Sequence, residues 1–235
     1  MVGVDGSPAS IAAVDLAADE AAARVTPVVI VHVDAGSPRR PTEAGAPERV
    51  DPVAAQRRLL DVTVGGVRAQ HPALAVTAEL LAGDPAEVLA RRSLEACLLA
   101  LGHPRGCGLS MASVATSVPE RAQAPVIVHR PLDGCREPSM DPRPVLVGVN
   151  CQEGAESVVE FGFLEASLRG APVTALHAWS RQDGARPAGV HPDAYGFAEA
   201  RAEAERMLAE AVAAGPRSTP RCRCDGRYDT PRMRR

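Results

Sequence analysis

The 235-residue chain carries 26 Lys and Arg against 29 Asp and Glu, a net charge of −3, with 46% hydrophobic but only 3% aromatic residues. That length makes one large domain or two small ones, with a core drawn from Ala, Val and Leu. The charge excludes a general pull toward nucleic acid or anionic membrane, and the shortage of aromatics excludes a stacking platform for single strands. Every member of the Lys and Arg set is Arg, so a phosphate loop ending in Gly-Lys-Ser is excluded as well.

Val2–Val4 is an apolar run too short for a helix and reads as a buried strand. Ser7 then caps a helix with Pro8 at its first position, where a missing N–H costs nothing. Ile11, Val14, Ala18 and Ala21 follow at helical spacing and are expected to face the sheet. A second strand covers Val28–Val33, which completes a βαβ unit with parallel strands and a right-handed crossover. Pro52–Gln70 reads as a helix and Leu74–Leu81 as a strand. "GDPAEVLARR" opens another helix, with Asp84 at the cap, Pro85 first and Glu87 third. Cys97–Leu101 is a strand, Ala112–Ala122 a helix that Pro119 shortens or bends, and Val126–His129 a last strand. Five strands alternating with four helices predict a doubly wound parallel α/β domain over residues 1–131, Rossmann-like in class. Residues 132–143, Pro-rich and charged, read as a linker.

The chain repeats itself. "VGVDGSPASIAAVDLAADEAAARVTPVVIVHV" (Val2–Val33) aligns without a gap on "VGVNCQEGAESVVEFGFLEASLRGAPVTALHA" (Val147–Ala178). Gly3 meets Gly148, Glu20 meets Glu165, Arg24 meets Arg169, Pro27 meets Pro172 and His32 meets His177. Strands are therefore expected at Val145–Val149 and Val173–Ala178, and a helix at Phe197–Ala214. No counterparts of Leu74–Leu81, Cys97–Leu101 or Val126–His129 follow, so residues 144–214 read as an incomplete second copy. Such a copy leaves apolar surface in search of cover, which predicts self-association or a homodimer.

The six cysteines, Cys97, Cys107, Cys135, Cys151, Cys222 and Cys224, form no CxxC pair and no metal-ligand spacing with His; they read as free thiols in a reducing cytoplasm. Neither a membrane span nor a secretory signal is apparent. His32 and His177 read as half-buried strand residues with satisfied rings. His103, on a loop without a carboxylate partner, is expected to face solvent.

"VGVDGSPAS", "VIVHV", "GDPAEVL", "LLALGHPRG" and "APVIVHRP", in this order and spacing, make the chain similar to the universal stress protein family, and to its tandem-domain members. The resemblance implies strand order 3-2-1-4-5, pairing of two copies through the fifth strand and, in a subset of members, binding of ATP. It implies that Asp5 accepts hydrogen bonds from the nucleotide, with Ser7 beside it, and that backbone at Val33 meets the adenine. Gly102, Arg105, Gly106, Ser113 and Val114 would then lie along the phosphates. Two departures stand out. The family's glycine pattern has Arg105 at its second position, with Gly106 displaced by one, and Ala112-Ser113 in place of the last Gly-Ser. The loop is also about three residues short, and at 3.3–3.6 Å per extended residue that displaces its N–H groups by several ångströms. In the second copy Asn150 replaces Asp5, so no second nucleotide site is expected there.

The implied function is an adenine-nucleotide-binding stress protein in the cytoplasm, with no catalytic residue, no metal and no nucleic-acid or membrane partner. The alternative is a nucleotide-free dimerising scaffold with a degenerate site. A third class, α/β enzymes that split ATP between its α- and β-phosphates, needs a Ser-Gly-Gly-x-Asp-Ser loop after strand one, and "DGSPAS" lacks it. Residues 215–235, with seven Arg and three Pro, read as an irregular tail, from a shifted reading frame or a gene truncated near Gly215, rather than as a nucleic-acid arm. Copy one starts inside its first strand, so either a clipped strand or an upstream start is expected.

Overall fold

The computed structural model describes residues 1–36, 51–103, 113–130, 143–150, 155–178 and 197–213. The chain divides into two compact units, Met1–Gly134 and Cys135–Arg235.

In the first unit the strands are β1 (Val2–Val4), β2 (Val28–Asp34), β3 (Val76–Ala82), β4 (Leu99–Gly102) and β5 (Val126–His129). All are parallel, in the order β3-β2-β1-β4-β5. The helices are α1 (Pro8–Arg24), α2 (Pro52–Gln70), α3 (Pro85–Arg92) and the short α4 (Val114–Ser117). Three of them start as the sequence dictates: Ser7, Asp51 and Asp84 cap α1, α2 and α3 through their side chains, each followed by Pro at the first helical position. Of the expected helix 112–122, Val114–Ser117 alone is α-helical among the described residues, with Pro119 two residues beyond.

Strand alternation sends side chains to two cores. Val2, Val4, Val28 and Ile30 pack with Ala13, Val14, Ala17 and Ala18 of α1 and with Leu60 and Val67 of α2. Val31, Val33, Leu99 and Leu101 pack with Val88 and Leu89 of α3 and with Val118. Ile11 does not face the sheet as expected; it is 36% exposed, and the buried stripe of α1 is made largely of alanines. Small side chains bring this helix close to the strands, which is how a chain poor in aromatics fills its interior.

The second unit holds β6 (Val145–Gly148) and β7 (Val173–Leu176), paired in parallel, with α5 (Ala155–Arg169) between them in sequence and α6 (Phe197–Ala213) after them. Val147, Val149, Val159, Phe163, Ala166, Val173, Ala175 and Leu208 form its core. The repeat extends to detail. Glu20 and Glu165 are both buried, and each pairs with the Arg one turn on, Arg24 and Arg169. Val25 ends α1 in the left-handed conformation at φ 53°, and its counterpart is Gly170 at φ 59°. The second copy thus has glycine where the first forces a β-branched side chain into a region that such residues avoid.

Candidate functional site

In a doubly wound sheet, ligands bind outside the carboxyl ends of the strands, where the winding reverses. Here that point lies between β1 and β4, which flank each other while their crossovers run in opposite directions. Asp5 directly follows β1. Gly6, at φ +83°, turns the chain through a conformation that glycine adopts freely. The Ser7 N–H donates to Asp5 Oδ1 at 2.8 Å, closing an Asx turn. Ser7 Oγ accepts from the Ser10 N–H at 3.2 Å, while Ser10 Oγ donates to the Ser7 carbonyl at 2.9 Å and accepts from the Asp5 N–H at 3.3 Å. Desolvation disfavours the charged Asp5 carboxylate, but hydrogen bonds from Ser7 and Ser10 outweigh it and hold its pKa below the usual carboxylate range.

The sign of the linkage follows. A depressed pKa in the folded state gives stability that is present above the unfolded-state value and is lost as pH falls through the folded value. Asp5→Asn keeps an acceptor for the turn but removes the charge. The melting temperature of the native protein is therefore expected to fall more steeply than that of D5N between about pH 5 and pH 2. Parallel slopes in thermal melts across that range would contradict it.

β2 runs past β1: its last register partner there is Val4 beside His32, so Val33 and Asp34 project beyond the β1 end. The Val33 side chain is buried in the α3 core, which leaves its backbone as the part that meets the crevice. The Asp34 carbonyl accepts from the Gly83 N–H at 3.0 Å, and Asp34 Oδ1 accepts from the Gly36 N–H at 3.0 Å. His32 Nδ1 lies 2.7 Å from the Val4 carbonyl oxygen. A carbonyl only accepts, so Nδ1 carries the proton, and the ring ties the end of β1 to β2. His177 does the same to Val149, also at 2.7 Å, so both rings are satisfied as expected. This clamp gave no signal in the sequence beyond its repetition.

Gly102 ends β4 beside this turn. A Cβ placed there would meet the Ala9 carbonyl oxygen at 2.2 Å and the Ser10 nitrogen at 2.5 Å. The glycine is thus needed for close approach of β4 to the first turn of α1, whatever it does for a ligand. His103 follows, and its expected solvent exposure is corrected: it is 2% exposed, with its backbone N–H donating to the His129 carbonyl at 2.9 Å. The strand pairing carried on by that bond draws it inside. Ser113 stands at the start of α4. Its Oγ lies 3.0 Å from Thr116 Oγ1, and its carbonyl accepts from the Thr116 and Ser117 hydroxyls at 2.9 and 2.6 Å. Val114 is half-buried at the first position of α4. Arg105 and Gly106 lie outside the described residues.

The structure therefore brings Asp5, Ser7, Val33 and Gly102 to the same end of one sheet, on the three neighbouring strands β1, β2 and β4. Asn150 occupies the Asp5 position in the second unit, where no strand equivalent to β4 lies beside β6 among the described residues. Among the described residues no group of three or more His, Cys, Asp or Glu is placed to hold a metal, and no helix is long and apolar enough to cross a membrane.

Strand order, switch point and the acidic turn together define a doubly wound α/β domain with a crevice at its carboxyl edge. A model described as "Universal stress protein family" matches residues 1–130. A universal stress protein of Mycobacterium tuberculosis is 32% identical over 225 residues, covering 91% of this chain and 72% of its own length. The chain belongs to the universal stress protein family. A universal stress protein from Archaeoglobus fulgidus has a similar fold, with a TM-score of 0.55 at 16% identity, over 90% of this chain and 73% of its own. Another from the same organism, solved in complex with dAMP, is 23% identical with a TM-score of 0.41, over 54% of this chain and 93% of its own.

Proposed function

We propose that the first unit binds an adenine nucleotide, ATP in the first instance, in the crevice at the carboxyl ends of β1, β2 and β4, and that the protein works by binding rather than by catalysis. The observation that carries this reading is the Asp5 carboxylate, held charged at the switch point by its own turn. The Asp5 residue is exposed at the strand end, so its carboxylate can also take donors from a ribose or an adenine amino group. Val33 offers backbone at the rim to the base, and Ser7 and Ser113, with Val114 after it, border the space where phosphates would lie. Arg105 and Gly106 are assigned to the phosphates by resemblance alone. The reading includes a cytoplasmic setting, in keeping with six cysteines that lack a pairing pattern.

A second reading, a nucleotide-free scaffold, is favoured by one observation. Space on the Cβ side of Gly102 is filled by α1 backbone, so this glycine has a packing reason to be present and is no sign of a phosphate contact by itself. One experiment separates the two. Purified protein is denatured, its supernatant is analysed for nucleotide, and stripped protein is melted with ATP, AMP and dAMP at millimolar concentration. Binding is expected to raise the melting temperature with ligand concentration, and Asp5→Ala to lose both the co-purifying nucleotide and the ligand-dependent shift. A nucleotide-free preparation without any shift would sink the binding reading and favour the scaffold.

A further inference from the structure

The βαβ unit occurs twice, once with the acidic turn and once without it. Parts kept in both copies serve the unit itself. The His32–Val4 tie recurs as His177–Val149, and the Glu20–Arg24 pair as Glu165–Arg169. Ser10 is not kept. It is buried in the first turn of α1, and its counterpart 145 positions on is Ala155, buried in α5. Alanine thus suits this place in the helix, and the fold does not require the hydroxyl. The copy that lacks it is also the copy with Asn150 in place of Asp5.

In the first copy the Ser10 hydroxyl makes two bonds to backbone. It donates to the Ser7 carbonyl at 2.9 Å, the ordinary back-bond of a serine in a helix. It also accepts from the Asp5 N–H at 3.3 Å, which lies outside the helix. One hydroxyl therefore grips the turn on both sides of Gly6, whose φ of +83° makes it the freest link in the turn. Ser10 is itself held in place, because the end of β4 lies against it: a Cβ on Gly102 would stand 2.5 Å from the Ser10 nitrogen. We propose that Ser10 is a positioning residue of the nucleotide site, which holds Asp5-Gly6-Ser7 in the shape in which the Asp5 carboxylate meets the ligand. This rests on the nucleotide reading of the first unit. Without the hydroxyl the turn is free to move at Gly6, and binding has to order it at a cost in affinity. The charge on Asp5 depends on the same contacts: burial works against it, and hydrogen bonds from Ser7 and Ser10 overcome that.

The test is calorimetric titration of the nucleotide-stripped full chain with ATP, comparing Ser10→Ala with Ser93→Ala. Ser93 is the control because it is equally buried and its Oγ also bridges two backbone groups. It donates to the Ala90 carbonyl at 2.6 Å and accepts from the Gln123 N–H at 2.9 Å, ahead of β4 and β5 rather than at their carboxyl ends. Both variants are expected to melt below the native protein. S10A alone should weaken ATP, by about tenfold. S10A alone should also move the titration of the Asp5 carboxyl, followed by NMR, to higher pH. Ser10→Cys keeps most of the volume but hydrogen-bonds weakly; it is expected to behave as S10A and takes its place if the alanine variant does not fold. Native affinity in S10A overturns this proposal alone. So does equal weakening in S93A, or an Asp5 titration that S10A leaves unmoved. A native chain that takes up no ATP overturns the nucleotide reading, and this proposal with it.

Discussion

Replacing Gly102 with alanine is expected to destabilise the first unit by about 3 kcal/mol or more and to lower its melting temperature by about 10 °C. The added carbon would lie 2.2 Å from the Ala9 carbonyl oxygen and 2.3 Å from its carbon. Overpacking against a side chain is relieved by a rotamer change, but here the obstacle is helix backbone. α1 would have to move away from β4, and its alanine stripe would then lose contact with the sheet. Gly65, exposed in α2 with nothing within 4 Å of its Cβ position, is the internal control. Gly65→Ala is expected to stabilise by about 0.5–1 kcal/mol through helix propensity alone. Thermal and urea melts of the two variants should move in opposite directions. Shifts of the same sign would show that the close approach at Gly102 carries no weight.

Phe163→Ala is expected to cost about 3–5 kcal/mol, the range for removing a buried aromatic. Phe163 is 5% exposed and packs with Val147, Val159, Val173 and Leu208, in a unit whose sheet has two strands among the described residues. Domains of ordinary size are stable by only about 5–15 kcal/mol, and a two-stranded layer sits low in that range. Amide hydrogen exchange is the measurement. Protection in β6, β7 and α5 should collapse in the variant while β2 and β4, in a separate core, keep theirs. Retained protection in β6 would mean that something other than Phe163 holds the second unit together.

Much of the fold was legible because its signals are local. Caps at Ser7 and Asp84, proline at the first helical positions and short β-branched runs each work within a few residues, and the repeat doubled the reading of one unit. The misreadings came from longer range. Ile11 was expected inside because it is bulky, yet the sheet accepts alanines at that distance and leaves Ile11 at the rim. β4 starts at Leu99 rather than Cys97, after the tight turn Ser93–Glu95; Leu98 instead gives its carbonyl to the Met1 amine. Of the candidate site, Asp5 and Val33 were named by the resemblance, and the structure puts both at the carboxyl ends of their strands. Gly102 was assigned to the phosphates by the resemblance; its close approach to Ala9, which joins residues far apart in the chain, had no signal in the sequence. His103 carried no periodic pattern, so nothing in its neighbours announced that it is buried.

The contact between β4 and the start of the chain has a kinetic side. The Met1 amine meets the Leu98 carbonyl across 97 residues, and the Ala100 N–H returns to the Met1 carbonyl at 2.9 Å. The His32–Val4 tie, by contrast, spans 28 residues, and the Glu20–Arg24 pair a single helical turn. Closing the longer loop takes more chain entropy, so the β1-α1-β2 module is expected to form ahead of it, with β4 inserting into a surface already built. The crevice, bounded on one side by β4, is then expected to be completed only as that strand docks: until it does, the chain has its acidic turn but no cleft.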